Sequence, residues 1–314
     1  MVMPLAHVCD QLDAEVTLHA SLAPLTWFGV GGCCDALVRP RSIEALTTLV
    51  TRCHAEQIVV RVLGEGANLL VGDEGVDGVV VQLNHPCFSS WEIRAESEIT
   101  QAGGGADLSK FMHATLREGL DGLCPMAGIP ASVGGAIRMN AGGRYGAIGE
   151  VVESVALLDV CGVRTVHERQ SIQFDYRHST LPHGVVLWSR FRLARAPQQQ
   201  ALRERVREIM AYKKSTQPLA ENSAGCMFRN PTLPSGERVS AGMLIDRSGL
   251  KSCAQGSASV SAEHANFICV AKGGHANDVM QLVERVVRGV QDAQGVTLHT
   301  EVVFWRRGDR VGAI

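Results

Sequence analysis

Glycine is crowded into one half of this chain. Of 33 glycines, 20 lie in residues 1–150 and 13 in the other 164. Glycine loses the most conformational freedom on folding, so a local excess needs a local reason: tight turns, or backbone brought close to a ligand. There is no G-X-Y period and proline numbers only 11, which excludes collagen and a low-complexity linker. At 46% hydrophobic and 20% charged residues, the 314-residue chain can bury substantial cores, and its length suggests about two domains. Net charge is −2, so no basic field exists to hold a nucleic-acid backbone. No nucleic-acid partner is expected, and an anionic ligand must be gripped locally.

MVMPLAHVCD lacks a basic start followed by a long apolar stretch, so no signal peptide is expected. No apolar run reaches the ~18 residues of a membrane span. A cytoplasmic protein with no membrane partner is the expectation. Cysteines 9, 33, 34, 53, 87, 124, 161, 226, 253 and 269 show no C-x-x-C spacing, so no metal site is expected. Reduced thiols that pack as small hydrophobes fit this usage.

From residue 41 helix-like and strand-like pieces alternate. Ser42 can cap a helix to about Gln57, with Ile43, Leu46, Leu49, Val50 and Cys53 on one face. Strands are expected at 58–64, 78–83, 151–160, 184–194 and 297–305. Helices are expected after Asp107, over 201–214, and where Val279, Leu282, Val283, Val286, Val287 and Val290 recur at helical spacing before Gly295. Residues 119–149 are glycine-rich with almost no regular period, and such long irregular stretches in compact domains tend to be functional. The pattern is α+β or α/β in three pieces, 1–84, 85–198 and 199–314.

The standard phosphate loops fail. There is no G-x-x-x-x-G-K-[ST]. Gly64 and Gly66 would need a third glycine where Leu69 stands, and Gly103 and Gly105 one where Leu108 stands. Three glycine-rich tracts remain: LGEGANLLVGD, QAGGGADLSKF and CPMAGIPASVGGAIRMNAGGRYG. Each can offer backbone N–H groups, and together they suggest cradles for one extended dinucleotide.

At these tracts the chain becomes recognisable. LTWFGVGG and LGEGANLLVGD resemble the first turn and pyrophosphate loop of flavoproteins with the vanillyl-alcohol-oxidase type of FAD domain. GLCPMAGIPASVGGAIRMNAGGRYG, FDYRHS, ENSAGCMFRNP, AGMLID and HTEVVFW then follow in the order of the UDP-N-acetylenolpyruvoylglucosamine reductase family. The resemblance spans roughly 22–306. It implies an α+β fold: a two-part FAD-binding domain of the vanillyl-alcohol-oxidase (PCMH) type, 1–84 and 85–198, and a C-terminal α+β substrate-binding domain, 199–314. It implies FAD as cofactor, NADPH as co-substrate, UDP-N-acetylglucosamine enolpyruvate as substrate, and a monomer. The length, with no insertion after FDYRHS, is similar to the shorter type II branch.

The resemblance also implies roles. Arg177 and Glu301 match the family's catalytic arginine and glutamate. Cys226 matches the proton donor, a position where most relatives carry Ser and some Cys. For FAD the matching residues are Gly64, Gly66, Ala67, Asn68, Leu69, Ser132, Val133, Gly134, Gly135, Asn140 and Gly142. For the UDP-sugar or the nicotinamide nucleotide they are Tyr145, Asn230, His264 and Lys213, with Lys214 an equal alignment. Val303 departs from the pattern, since many relatives carry Arg there near the flavin. Two other readings stay open at this point: an oxidase on the same FAD fold, and a nucleotide-binding protein without catalysis.

Overall fold

The computed structural model describes residues 3–94 and 96–314. In the first sheet Cys34–Pro40 runs antiparallel to Ala14–Leu18 and parallel to Val76–Val81, which pairs in parallel with Val60–Val62. Helix Ile43–Ala55 starts where expected, because Ser42 Oγ accepts from the Ala45 N–H at 3.1 Å. Its buried face carries Leu46, Leu49, Val50 and Cys53. That face packs on Val38, Val79 and Val81 and reaches Ala156, Leu158, Val185 and Leu187 of the next sheet.

The second sheet has the order Arg164–Glu168, Val152–Leu158, Val185–Arg192, Ile99–Gly103, Trp91–Ile93, antiparallel throughout. Helices Leu108–Arg117 and Val133–Arg138 cover it, capped by Asp107 and Ser132. Helix Gln199–Thr216 buries Leu202 and Ile209 in the same core. The glycine run 103–105 serves packing and is no cradle. Its three N–H groups donate to Ser90, Leu187 and Phe88 carbonyls, each at 2.9 Å. A Cβ at any of the three would lie within about 2 Å of a backbone oxygen. These glycines let strand, turn and sheet approach closely, which composition alone did not distinguish from ligand binding.

The third layer is a small antiparallel sheet, Ala254–Gln255, Ala258–Val260 and Ile268–Val270, against helices Ala241–Arg247 and Ala276–Gln294. The long helix buries Val279, Leu282, Val283, Val286 and Val290 and ends at Gly295, whose φ of 67° is left-handed. The strand expected over 297–305 is shorter, Val303–Trp305, and pairs in parallel with Leu69–Val71. The residues before it bond elsewhere: Glu301 N–H donates to Met227 O at 2.8 Å.

Two further contacts fasten the chain's end to its beginning. Arg61, fully buried, donates to the carbonyls of Val311, Asp77 and Asp309. Asp73 accepts from the N–H groups of Ala276 and Asn277, both at 2.9 Å, and so caps the long helix from across the molecule. Among the described residues no helix is long and apolar enough to cross a membrane.

Candidate active site

A two-residue turn, Tyr176–Arg177, joins the short strands Phe174–Asp175 and His178–Ser179. Arg177 sits there at φ 57°, a left-handed conformation that a large side chain adopts only when its surroundings hold it. Those surroundings are visible. The buried Asn140 donates its amide to Asp175 O at 2.8 Å, and Ser179 Oγ donates to Arg138 O at 3.1 Å. Arg138 itself donates to the carbonyls of Leu181, Pro182 and Gly184. The guanidinium of Arg177 then projects to Glu301, with Nε donating to Oε1 at 2.5 Å and Nη1 donating to Gly142 O at 2.7 Å. A guanidinium has five N–H donors, so three are not taken up by these two bonds.

Glu301 comes from 124 residues further along the chain. Asn68 Nδ2 donates to its carbonyl at 3.2 Å, and Val303 N–H donates to Asn68 O at 3.1 Å. Val303 therefore opens the strand against the glycine loop. Burial pushes the Glu301 carboxyl above its ordinary range, against the opposing pull of Arg177 and Arg229.

Cys226 lies on an extended segment held on both sides. Met227 N–H donates to Asn266 O at 2.7 Å, and the Met227 carbonyl takes the Glu301 N–H. The buried Asn266 brackets Phe228, accepting its N–H at 2.9 Å and donating to its carbonyl at 2.8 Å. Sequence reasoning missed Asn266; the signal was a lone amide between apolar residues in HANFICV. The Cys226 thiol is pushed from 9.0 up to about 12 by burial and by the Glu301 carboxylate, while Arg177 and Asn266 pull it down. That leaves on the order of a thousandfold less thiolate at pH 8. Alkylation at that pH should therefore label the exposed Cys33 and Cys161 at least tenfold faster than Cys226, read by peptide mass spectrometry.

Lys213 Nζ donates to Ala127 O at 2.7 Å, and burial, then the Arg177 charge, lower its pKa to about 8. Tyr145 meets Tyr212 edge-on at 6.1 Å, with Arg144 over both rings. Asn230 Oδ1 accepts the Ala241 N–H at 3.0 Å. His264 is tied to its own loop. Its Nδ1 accepts the Asn266 N–H at 3.2 Å, and burial lowers its pKa.

The glycine loop is the strongest ligand cradle. Among the described residues, the N–H groups of Gly64, Glu65, Gly66, Ala67 and Asn68 donate to no protein acceptor. Five consecutive free donors suit an anion such as a pyrophosphate. A Cβ on Gly64 would stand 2.5 Å from Ser132 Oγ, which places the third glycine tract against the first. In that tract the N–H groups of Val133, Gly134 and Gly135 are already bonded to Ala106 O, Gly104 O and Ser132 Oγ. Ser132–Gly135 therefore offers shape and close approach instead of free donors. Gly66 has φ 62°, and a Cβ there would meet Leu25 O at 2.1 Å. Gly66→Ala should purify nearly colourless, with flavin absorbance per mole of protein reduced at least tenfold, because relieving the clash moves the cradle.

Comparison with known proteins supplies the chemistry's context. The family model for the UDP-N-acetylenolpyruvoylglucosamine reductase C-terminal domain matches residues 217–305, and an FAD binding domain model matches 34–166. The reductase of Moorella thermoacetica is 36% identical over 299 residues, 95% of each chain. That of Syntrophobacter fumaroxidans is 36% identical over 294 residues, 92% of this chain and 84% of the relative. The crystal structure of the Thermus caldophilus reductase superposes with a TM-score of 0.77 at 35% identity, covering 93% of this chain and 98% of that one. With more than a third of residues identical over more than nine-tenths of its length, the chain belongs to the UDP-N-acetylenolpyruvoylglucosamine reductase family.

Proposed function

We propose that this chain reduces UDP-N-acetylglucosamine enolpyruvate to UDP-N-acetylmuramate, a step of peptidoglycan precursor synthesis, with NADPH as reductant and FAD as cofactor. The observation that carries the reading is the convergence of Arg177, Glu301 and Cys226 from three distant segments. An oxidase or a non-catalytic binder has no use for that convergence. Bound FAD, reduced by NADPH, supplies the hydride.

The free N–H groups of 64–68 would hold its pyrophosphate. Residues Gly64–Leu69, Ser132–Gly135, Asn140 and Gly142 line the cradle, with Asn140 and Gly142 acting through the Arg177 turn that they brace. In this division residues 1–84 and 85–198 form the FAD-binding part, and 199–314 brings Cys226 and Glu301.

The protein's own residues do the rest. Hydride delivered to the methylene carbon of the enolpyruvyl group would leave charge on the neighbouring carbon, the one that bears the carboxylate, where it spreads into an enolate. The planar Arg177 fork, oriented by Glu301 and the Gly142 carbonyl, faces that charge. Cys226 gives its proton to the neighbouring carbon. The role needs the neutral thiol, and burial beside a carboxylate keeps it neutral. Lys213 and Tyr145, with Asn230 and His264, form the substrate-binding set of this reading. The protein acts as a cytoplasmic monomer in this reading.

The test is spectroscopic. The FAD-loaded protein should bleach on anaerobic addition of NADPH and regain its yellow colour with UDP-N-acetylglucosamine enolpyruvate. Recolouring by oxygen alone, with no response to the UDP-sugar, would reject the reading in favour of an oxidase.

A further inference from the structure

The turn that carries Arg177 is held from two directions. Asn140 and Ser179 hold it from the FAD-binding side. The second hold comes from the C-terminal side, through a loop with no part in the reaction above. Tyr176 is half-buried, and two guanidinium groups stand over its ring: that of Arg177 at 5.2 Å and that of Arg238 at 4.4 Å. The Tyr176 hydroxyl also accepts the backbone N–H of Asn230 at 3.4 Å. Arg238 belongs to a tight loop closed by its own bonds. Leu233 N–H donates to Glu237 O and Gly236 N–H to Leu233 O, both at 2.8 Å, while Val239 N–H donates to Pro231 O at 3.0 Å. No carboxylate pairs with Arg238 among the described residues. Its partner is the ring.

We propose that Arg238 is a positioning residue: by stacking on Tyr176 it keeps Arg177 aimed at the enolate. The proposal rests on the reading of Arg177 given above. The physical argument is short. A non-glycine residue at φ 57° is restrained only as well as its neighbours are. Tyr176 is the immediate neighbour, and Arg238 is the nearer of the two guanidinium groups over its ring. An exposed cation–π contact corresponds to about a two- to fivefold equilibrium preference. Losing it lets the turn sample orientations in which Arg177 leaves the enolate position. Arg238 need never touch substrate.

The experiment follows the two half-reactions of the holoenzyme by anaerobic stopped flow in R238A, R238K, Y176L and the double variant. In R238A, flavin reduction by NADPH should match the parent. The limiting rate of reoxidation by UDP-N-acetylglucosamine enolpyruvate should fall about two- to fivefold, with little change in its half-saturation. R238K should recover part of the loss, because an ammonium still attracts the ring face. R238A should have no further effect in the Y176L background, since the ring that transmits it is gone. Four results would overturn the proposal: no change in reoxidation, a change confined to half-saturation (a direct substrate contact), an equal fall in both half-reactions (general damage), or an undiminished effect in Y176L. If the parent itself is not reoxidised by the UDP-sugar, both the proposal and the function beneath it fail.

Discussion

Cys226→Ala is expected to bleach with NADPH as fast as the parent and then to stay bleached when the enolpyruvyl UDP-sugar is added. In the proposed mechanism the first half-reaction needs no proton from the thiol, whereas the second does. Removing a positioned general acid costs typically 10²–10⁴-fold, so the reoxidation rate is expected to fall by about that range. Cys226→Ser keeps a neutral O–H donor in nearly the same place and should retain substantial activity. Since the thiol is held neutral up to about 12, no loss of rate between neutral pH and pH 9 should trace to Cys226. Normal turnover by the alanine variant would remove Cys226 from the mechanism.

The second large effect concerns Arg177. Deleting one donor aimed at a developing oxyanion lowers kcat by about 10²–10³, and Arg177→Ala is expected to fall in that range for enolate formation. The same change strips Glu301 of its counter-charge in a mostly buried place, with 11% side-chain exposure. Burial already raises the Glu301 pKa, and the largest opposing pull is lost. The folded variant therefore binds a proton more tightly than its unfolded chain does. Stability is then highest at low pH and falls as the pH rises through the raised carboxyl pKa. Thermal unfolding of Arg177→Ala should show its largest deficit against the parent at neutral pH and a shrinking one on acidification. Glu301→Gln added to that variant should restore stability at neutral pH without restoring turnover. An activity loss with no pH-dependent stability deficit would mean that the pair is not coupled as described.

The parts of the fold legible in the sequence are those set by local pattern. The period Val279, Leu282, Val283, Val286, Val290 placed a helix that the structure has, and Gly295 ends it. Ser42 and Asp107 cap where their chemistry says. What local pattern could not carry is choice of partner. TLHTEVVFW has the composition of a strand throughout, yet only Val303–Trp305 pairs as one, because Glu301 bonds to Met227 and Leu69–Val71 is the matching edge. The glycines at 103–105 and those at 64–66 read alike in sequence. Only the bonds made by their N–H groups separate packing from a cradle. The active site followed the same division. Spacing alone could not join Arg177 to Glu301, and the resemblance of FDYRHS and HTEVVFW to a known family did. Asn266 carried no motif and stayed hidden until its amide was seen bracketing Phe228.

The parallel pairing of Val303–Trp305 with Leu69–Val71 has a consequence for how the protein comes into being. The strand edge just after the glycine loop at 64–68 waits for a partner made more than 230 residues later. During synthesis the nascent chain holds that edge unpaired, with Arg61 lacking the carbonyls of Val311 and Asp309. Such long-range closures are slow and leave sticky edges open. The glycine loop at 64–68 is therefore among the last parts of the molecule to gain its neighbours, and a chain that stops before Val303 cannot supply the strand that pairs beside it.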